Sequence, residues 1–290
     1  MSHDEIRDQL PDDLNVAAFS GPYEFPDNSR RRTPGYLYIG IAIGCLAFRA
    51  FGPSDSALVG KGWVGAAILL GDLCLSWADQ LLLTSGLPAE NLNAAKSVYD
   101  EMRTELMAGQ YLDLLEQARG GGSVERALRV VRYKSAKYTI ERPLHIGAAL
   151  ALAPQEVFDA YTGYGLPLGE AFQLRDDILG VFGDPEVTGK PAGDDLREGK
   201  RTVLIAIATE RANPHQLKSL HELLGDEHLS MSGIETLREI IRDTGSLDYT
   251  ESLISQLLEE SLTALNTAPL DQEAVTALTD LAHKSVQRSL

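Results

Sequence analysis

Two adjacent aspartates, Asp176 and Asp177, lie in the segment FQLRDDILG. If this segment is helical, the spacing of Gly169, Gln173, the aspartate pair and Gly180 places all of them on one face of the helix. Adjacent carboxylates repel each other, and burying them without compensation is costly. Mg²⁺ bound by oxygen ligands would remove that cost and keep coordination positions for substrate phosphates. The spacing is therefore compatible with a magnesium site, although an aspartate pair alone is more typical of an exposed helix end whose aspartates contact only water.

The stretch that follows, GDPEVTGKPAGDDLREGKRT, carries the charges and glycines that a phosphorylated ligand requires. It places Lys190 and Lys200, together with Asp194 and Asp195, close to the aspartate pair in sequence. The two ammonium groups could neutralise diphosphate oxygens that a metal does not reach. Glycines would let the loop close tightly over a ligand. A charged surface loop has the same composition, so this stretch alone leaves both interpretations open.

A second group of polar residues lies on the preceding predicted helix, within RYKSAKYTIERP. Lys134 and Tyr138 are four residues apart and share a helix face, and Ser135 lies beside them. The lysine could bind a diphosphate, and the hydroxyl groups could face a developing positive charge. A solvated basic face is the alternative. Gln110 and Asp113, three residues apart, likewise point either into a helix bundle or away from it.

Composition narrows the classes of partner. The chain has 290 residues and a formal net charge of −16, which argues against a nucleic acid partner because that needs clustered basic surface. Two cysteines suit a reducing compartment, and we expect a cytoplasmic protein. The apolar run YLYIGIAIGCLAF has 13 residues, short of the roughly 20 that a spanning helix needs, so no stable membrane insertion is expected. The six histidines show no spacing typical of metal ligands.

From about Ser56 onward the apolar periodicity is helical almost throughout, which predicts an all-α protein with a single multi-helix bundle. One helix should end at Gly120–Gly122, and the next should begin at an N-cap, Ser123. Pro143 predicts a kink or break in that next helix. A further pair of helices should divide near Gly163–Pro167. The segment AAILLGDLCLSWADQLLL, apolar nearly all round, predicts a helix buried in the core or at a subunit contact.

The segment GEAFQLRDDILGVFGDPEVTGKPAGDDLREGKRT resembles the second aspartate-rich region of the trans-isoprenyl diphosphate synthases, or polyprenyl synthetases. GAAILLGDLCLSWADQLL, YKSAKYTIERPLHIGAAL and ALTDLAHKSVQRSL resemble the same family in the same order. The similarity runs from about Val64 to Leu290 and is strongest to bacterial short-chain farnesyl and geranylgeranyl diphosphate synthases. It implies one isoprenoid-synthase-type helical domain over residues 1–290.

The resemblance also implies roles for individual residues. Asp176 and Asp177 correspond to the family's ligands of Mg²⁺ that binds an allylic diphosphate, while the third aspartate of that motif falls on Gly180. The lysines correspond to diphosphate-binding residues of the family, and Gln173 would contact the metal-bound diphosphate or the allylic cation. Together, the residue pattern and the resemblance give these catalytic or substrate-binding candidates: Lys134, Ser135, Tyr138, Gln173, Lys190 and Lys200.

The N-terminal part departs from the family. The family has a first aspartate-rich motif, DDxxD, followed by paired arginines, upstream of the segment that GDLCLSWAD resembles. The only candidate here is YEFPDNSRRRTPG, in which Glu24 and Asp27 stand for the motif and Arg30–Arg32 for the arginines. No segment resembles the one with which the family binds isopentenyl diphosphate. Residues 1–54 are therefore expected to be an atypical N-terminal segment.

These observations predict a Mg²⁺-dependent prenyltransferase that condenses isopentenyl diphosphate with an allylic diphosphate to a C15 to C20 isoprenyl diphosphate. Resemblance to the family implies a homodimer or a subunit that joins a partner synthase. The N-terminal departure leaves an alternative, a non-catalytic or impaired subunit that binds diphosphate and Mg²⁺ and modulates an active synthase. An ionising enzyme of terpene-cyclase type, which needs no isopentenyl diphosphate, is a weaker third reading.

Overall fold

The computed structural model describes residues 57–119, 122–185, 191 and 193–287, with side chains from residue 68 onward. Every regular element in these ranges is a helix, so the prediction of an all-α protein is confirmed. The chain divides into two compact units, Met1–Ser85 and Gly86–Leu290. One domain spanning residues 1–290 stays a prediction.

The described part of the first unit is one long helix, α1 (Ala57–Leu83). We expected its apolar side chains to be buried. The following large apolar side chains of α1 are exposed: Ile68, Leu69, Leu73, Leu75, Leu81 and Leu83. Burial of this helix, in the core or at a subunit contact, stays a prediction. Among the described residues, no helix combines the length and the apolar character that crossing a membrane requires.

The described part of the second unit consists of helices joined by short connections. In chain order they are α2 (Ala89–Arg119), α3 (Val124–Val130), the π-helix π1 (Val131–Glu141), α4 (Arg142–Leu150), α5 (Gln155–Phe182), α6 (Asp194–Arg197), α7 (Val203–Arg211), α8 (Pro214–Leu223), α9 (Met231–Asp243), α10 (Ser246–Asn266) and α11 (Gln272–Val286). As predicted, α2 ends just before the triple glycine, and α3 is capped by Ser123, whose hydroxyl accepts from the Arg126 amide at 3.5 Å.

Helix α5 is the central element, packed between π1 on one side and α10 on the other. Its side chains Tyr164, Leu168, Leu174 and Ile178 are completely buried and form one core cluster with residues of π1, α7, α10 and α11. A second cluster joins α7, α8 and α9. Removal of this apolar surface from water is the main stabilising contribution to the fold, and it holds α5 rigidly at the centre.

The predicted break near Gly163–Pro167 is wrong, since α5 continues through Pro167. Proline lacks the N–H of a helix interior and normally interrupts it. Here the tertiary packing prevails: the Ser261 hydroxyl of α10 donates to the Tyr164 carbonyl at 2.9 Å. A Cβ added to Gly165 would lie 2.9 Å from the Cα of Glu141 in π1. The glycine therefore permits close helix packing and does not mark a loop.

Helices α3, π1 and α4 follow one another without a connecting loop over residues 124–150. The expected break at Pro143 is absent, because this proline lies in the first turn of α4, where the chain returns from the wider π pattern to the α pattern. π-Helices are rare, and they are frequently found at functional sites. The segment with the wider pattern contains Lys134 and Ser135.

Small residues and ion pairs hold π1 between its neighbours. A Cβ on Gly109 of α2 would lie 2.6 Å from the Tyr133 carbonyl carbon, and one on Gly169 of α5 would lie 2.5 Å from the Ala136 Cα. Glu105 of α2 accepts from the Lys137 ammonium at 2.5 Å, and its second oxygen accepts from Arg142 at 2.7 Å. Both flanking helices therefore approach the π1 backbone closely and fix its position.

Candidate active site

A cavity of about 630 Å³ lies among α2, α3, π1, α5 and the segment that leads into α7. This volume lies in the range that is typical of small-molecule sites. The polar residues that line it are Asp113, Lys134, Ser135, Gln173, Asp176, Asp177, Asp195, Lys200, Arg201, Thr202 and Gln287. Most of the residues singled out from the sequence therefore lie together around one space.

Helix α5 contributes the acidic side of the cavity. The Gln173 side-chain amide donates to Asp177 Oδ1 at 2.9 Å, and the Asp177 carboxyl is buried. Burial raises the pKa of Asp177 to about 7, with the Asp195 and Asp176 carboxylates adding to the rise, although the Gln173 hydrogen bond and Lys200 oppose it. With this pKa, the carboxyl is protonated in a large fraction of the molecules near neutral pH when no metal ion is bound.

Gly180, which stands where the family's third aspartate is expected, lies directly beside Asp195 of α6. A Cβ added to Gly180 would lie 2.5 Å from the Asp195 Cγ. The carboxylate of Asp195 therefore fills the space that a side chain at position 180 would enter. Helix α5 thus lacks an aspartate at position 180, but α6 places the Asp195 carboxylate in the same space.

Each lysine of the cavity is paired with an aspartate. The Lys134 ammonium contacts Asp113 Oδ2 at 2.6 Å. The Lys200 ammonium contacts the Asp195 carboxylate and also Glu198, at 3.2 Å. Burial alone would lower the pKa of Lys200, but its hydrogen bonds and charge interactions with these two carboxylates outweigh burial and raise it. These two carboxylates therefore hold Lys200 at the wall as an ammonium ion.

Three polar lining residues were missed by the sequence analysis: Arg201, Thr202 and Gln287. The Thr202 hydroxyl accepts from the Ile205 amide at 3.3 Å and caps the N-terminus of α7. A threonine directly before the apolar run VLIAIA is a helix-start signal, and it could have placed Arg201 at the entry of a buried helix. Arg201 is half-buried, and burial lowers its pKa.

Other candidates lie elsewhere. Tyr138 is exposed and does not line the cavity, since it lies one turn farther along π1. Of the pair on α2, Asp113 lines the cavity, whereas Gln110 is exposed. Lys190 lies outside the described residues, as do the N-terminal candidates Glu24, Asp27 and Arg30–Arg32.

The donor atoms of this cavity fit a hard divalent cation. Asp176, Asp177 and Asp195 all line it, and oxygen is the ligand that Mg²⁺ prefers. In the described part of the chain, no three acidic, histidine or cysteine side chains are grouped closely enough to hold a metal ion by themselves. Mg²⁺ normally uses one or two carboxylates and completes its coordination with waters and substrate phosphates, so the aspartate pair suffices.

The all-α bundle, whose central helix presents paired aspartates to a cavity that also holds two lysines, agrees with the isoprenoid-synthase fold that the resemblance implies. The sequence model of the polyprenyl synthetase family matches residues 57–241. The chain therefore belongs to the polyprenyl synthetase family, a family of prenyltransferases.

Individual relatives agree with this assignment. The geranylfarnesyl diphosphate synthase of Aeropyrum pernix is 34% identical over 240 residues, which are 81% of this chain and 73% of the relative. The (2E,6E)-farnesyl diphosphate synthase of Mycobacterium tuberculosis is 30% identical over 225 residues, 77% of this chain. This chain spans only 62% of the length of that second relative, less than two thirds.

Among solved structures, the geranylgeranyl pyrophosphate synthase of Corynebacterium glutamicum is similar with a TM-score of 0.78 and 41% sequence identity. The similarity covers 88% of this chain and 70% of that one. The crystal structure of that synthase is a complex with isoprenyl diphosphate and magnesium.

Proposed function

We propose that this protein is a Mg²⁺-dependent prenyltransferase that condenses isopentenyl diphosphate with an allylic diphosphate to a C15 to C20 isoprenyl diphosphate. One observation carries the proposal: Asp176, Asp177 and Gln173 of α5 share a single cavity with Lys134 of π1 and Lys200. The names of the relatives support it, as do the isoprenyl diphosphate and magnesium in the Corynebacterium glutamicum synthase.

In the proposed reaction, the bond between the allylic carbon and the diphosphate oxygen breaks, and the diphosphate leaves with the electron pair. Asp176 and Asp177 would hold Mg²⁺, which when bound supplies charge neutralisation for the leaving group. Lys134 and Lys200 would exchange their aspartate partners for phosphate oxygens, with which they form charge-assisted hydrogen bonds. These residues thereby stabilise the charge that develops on the diphosphate.

The allylic cation left behind needs polar groups that tolerate positive charge and walls that exclude water. The Gln173 amide nitrogen donates to Asp177, so its carbonyl oxygen is the end available to the cation, and the Ser135 hydroxyl oxygen lines the same cavity. Val131 and Leu179 add apolar surface, which protects the cation from capture by water. The double bond of isopentenyl diphosphate attacks this cation, a new carbon–carbon bond forms, and the diphosphate takes the proton that is lost.

Lys190 is proposed as a further diphosphate ligand on the strength of the sequence resemblance. Tyr138 is left out of the proposed site because it lies outside the cavity lining. We also propose that the protein is cytoplasmic and that it forms a homodimer. The α2 side chains of Met107, Tyr111 and Leu114 are exposed and form an apolar surface that a second copy could cover. Light scattering after size exclusion tests the dimer.

The test of the proposed function is a product assay. The protein is mixed with Mg²⁺, isopentenyl diphosphate and, in turn, dimethylallyl, geranyl or farnesyl diphosphate, and product length is read by mass spectrometry. The double variant Asp176→Asn with Asp177→Asn should abolish both product formation and Mg²⁺-dependent binding of pyrophosphate. A matched control is Glu259→Gln with Glu260→Gln, an adjacent and exposed pair on α10, which should leave both unchanged.

The outcomes separate the proposal from its alternative. Elongated product that depends on the aspartate pair supports the prenyltransferase. Intact Mg²⁺-dependent pyrophosphate binding without any product would replace it with the non-catalytic subunit. Binding that survives loss of both aspartates would refute the site itself.

A further inference from the structure

Arg201 is a cation of the cavity wall to which the proposed chemistry gives no role. It lies between Lys200 and the helix cap Thr202 and lines the cavity. Its Nε atom is fully buried and has no hydrogen-bond partner among the described residues. Lys134 and Lys200, by contrast, each contact an aspartate of the same wall.

A half-buried guanidinium without a carboxylate partner is unfavourable, because it loses hydration and gains no compensating charge. Such a group persists where something other than stability requires it, and an anionic ligand supplies what it lacks. Guanidinium also offers several N–H donors in a rigid fork that matches the oxygens of a phosphate. The cavity that Arg201 lines is the same cavity in which the proposed function places the diphosphate of the substrate.

The position of Arg201 is fixed before any ligand arrives. Thr202 caps α7, and the helix that follows is buried from Val203 to Ala208. On the other side, the Lys200 amide donates to the Asp195 carbonyl at 3.1 Å. Because the backbone on both sides is anchored, binding through Arg201 would require little ordering of the chain, which lowers the entropic cost of association.

We propose that Arg201 binds the diphosphate of the substrate in this cavity, as a third cation beside Lys134 and Lys200. The inference rests on the proposed function, from which it takes the identity of the ligand. Arg201 takes part in binding only, through charge-assisted hydrogen bonds to phosphate oxygens.

The test compares Arg201→Gln and Arg201→Lys with the wild type by calorimetric titration of pyrophosphate in the presence of Mg²⁺. Arg201→Gln should weaken binding roughly tenfold or more, the usual effect of losing a hydrogen bond to a charged group. Arg201→Lys keeps the positive charge but loses the forked N–H donors of the guanidinium, so its affinity for pyrophosphate should lie between those of Arg201→Gln and the wild type. The control is Arg211→Gln, which removes one positive charge from the exposed C-terminal end of α7 and should bind as the wild type does.

Thermal unfolding without ligand separates a binding role from a structural one. Because Arg201 lacks a partner in the described structure, Arg201→Gln should leave the melting temperature of the ligand-free protein unchanged or raise it. Weaker pyrophosphate binding accompanied by a lower melting temperature would overturn the inference, since it would show that Arg201 supports the fold. Equal affinity of Arg201→Gln and the wild type would overturn the inference about Arg201 and leave the proposed function untouched. A wild type that does not bind pyrophosphate with Mg²⁺ would overturn the proposed function along with it.

Discussion

Replacement of Gly180 by alanine should destabilise the protein, although alanine is ordinarily the better residue inside a helix. In a helix interior the exchange of glycine for alanine gains about 0.5–1 kcal/mol. At this position the added Cβ would lie 2.5 Å from the Asp195 Cγ. The Asp195 side chain is buried, and its carboxylate contacts Lys200, so moving it away weakens that ion pair. Overpacking of this kind costs about 1–3 kcal/mol, and the net result should be a loss of about 1 kcal/mol.

The same substitution should have the opposite sign once Asp195 is shortened. In the Asp195→Ala background the obstacle to a Cβ at position 180 is gone, and Gly180→Ala should stabilise the protein by about 0.5–1 kcal/mol, the helix-propensity gain alone. The difference between the two backgrounds is the coupling energy between the positions, about 1–3 kcal/mol. It is obtained from the free energies of unfolding of the four proteins, measured by urea denaturation with circular dichroism.

Gly147 in α4 provides the matched control. It is exposed, and a Cβ there would meet no atom within 4 Å, so Gly147→Ala should stabilise the native protein by about 0.5–1 kcal/mol. If Gly180→Ala proves stabilising in both backgrounds, as Gly147→Ala should be, the Asp195 carboxylate does not occupy the space beside position 180. The account of the acidic cluster would then be wrong.

Two further predictions concern residues of α5. Gly169→Ala should destabilise the protein by about 1–3 kcal/mol and weaken pyrophosphate binding. The added Cβ would lie 2.5 Å from the Ala136 Cα, a backbone atom that cannot move away by a side-chain rotation. Urea unfolding measures the loss of stability, and calorimetry measures the loss of binding. Because the pKa of Asp177 is raised to about 7, the folded, metal-free protein keeps a proton that the unfolded chain releases near pH 4. Its contribution to stability is complete below about pH 4 and lost as the pH rises through 7. In EDTA, the stability of Asp177→Asn relative to the wild type should therefore rise from pH 5 to pH 8, and a constant difference would contradict this.

The sequence alone predicted those features that depend on residues close together in the chain. The shared face of Gln173, Asp176 and Asp177 follows from helical spacing, and the cap at Ser123 follows from its residue type and the helix after it. The continuity of α5 through Pro167 could not be predicted in this way, because a proline normally interrupts a helix. The neighbours of this stretch are Glu141 of π1 and Ser261 of α10. These residues come together only in the folded chain.

The same limit applies to the finer structure of the site. Apolar periodicity does not distinguish the α pattern from the wider π pattern, so the wider pattern of π1 was not foreseen. The space beside Gly180 is filled by Asp195, fifteen residues farther along the chain, and spacing on one helix cannot reveal such a neighbour. Likewise, a sequence shows that Arg201 is positively charged but not that its Nε is buried without a partner in the described structure.

The pairing of charges in the cavity has a consequence for how its ligands bind. A diphosphate that draws Lys134 and Lys200 away from Asp113 and Asp195 leaves two carboxylates of the cavity lining without these counter-charges. Uncompensated carboxylates favour a bound cation, so each lysine that turns to the diphosphate increases the affinity of the wall for Mg²⁺. Linkage makes this effect reciprocal: the cation must increase the affinity for diphosphate by the same factor. Arg201 has no carboxylate to release among the described residues, so it adds affinity for the diphosphate without contributing to that coupling.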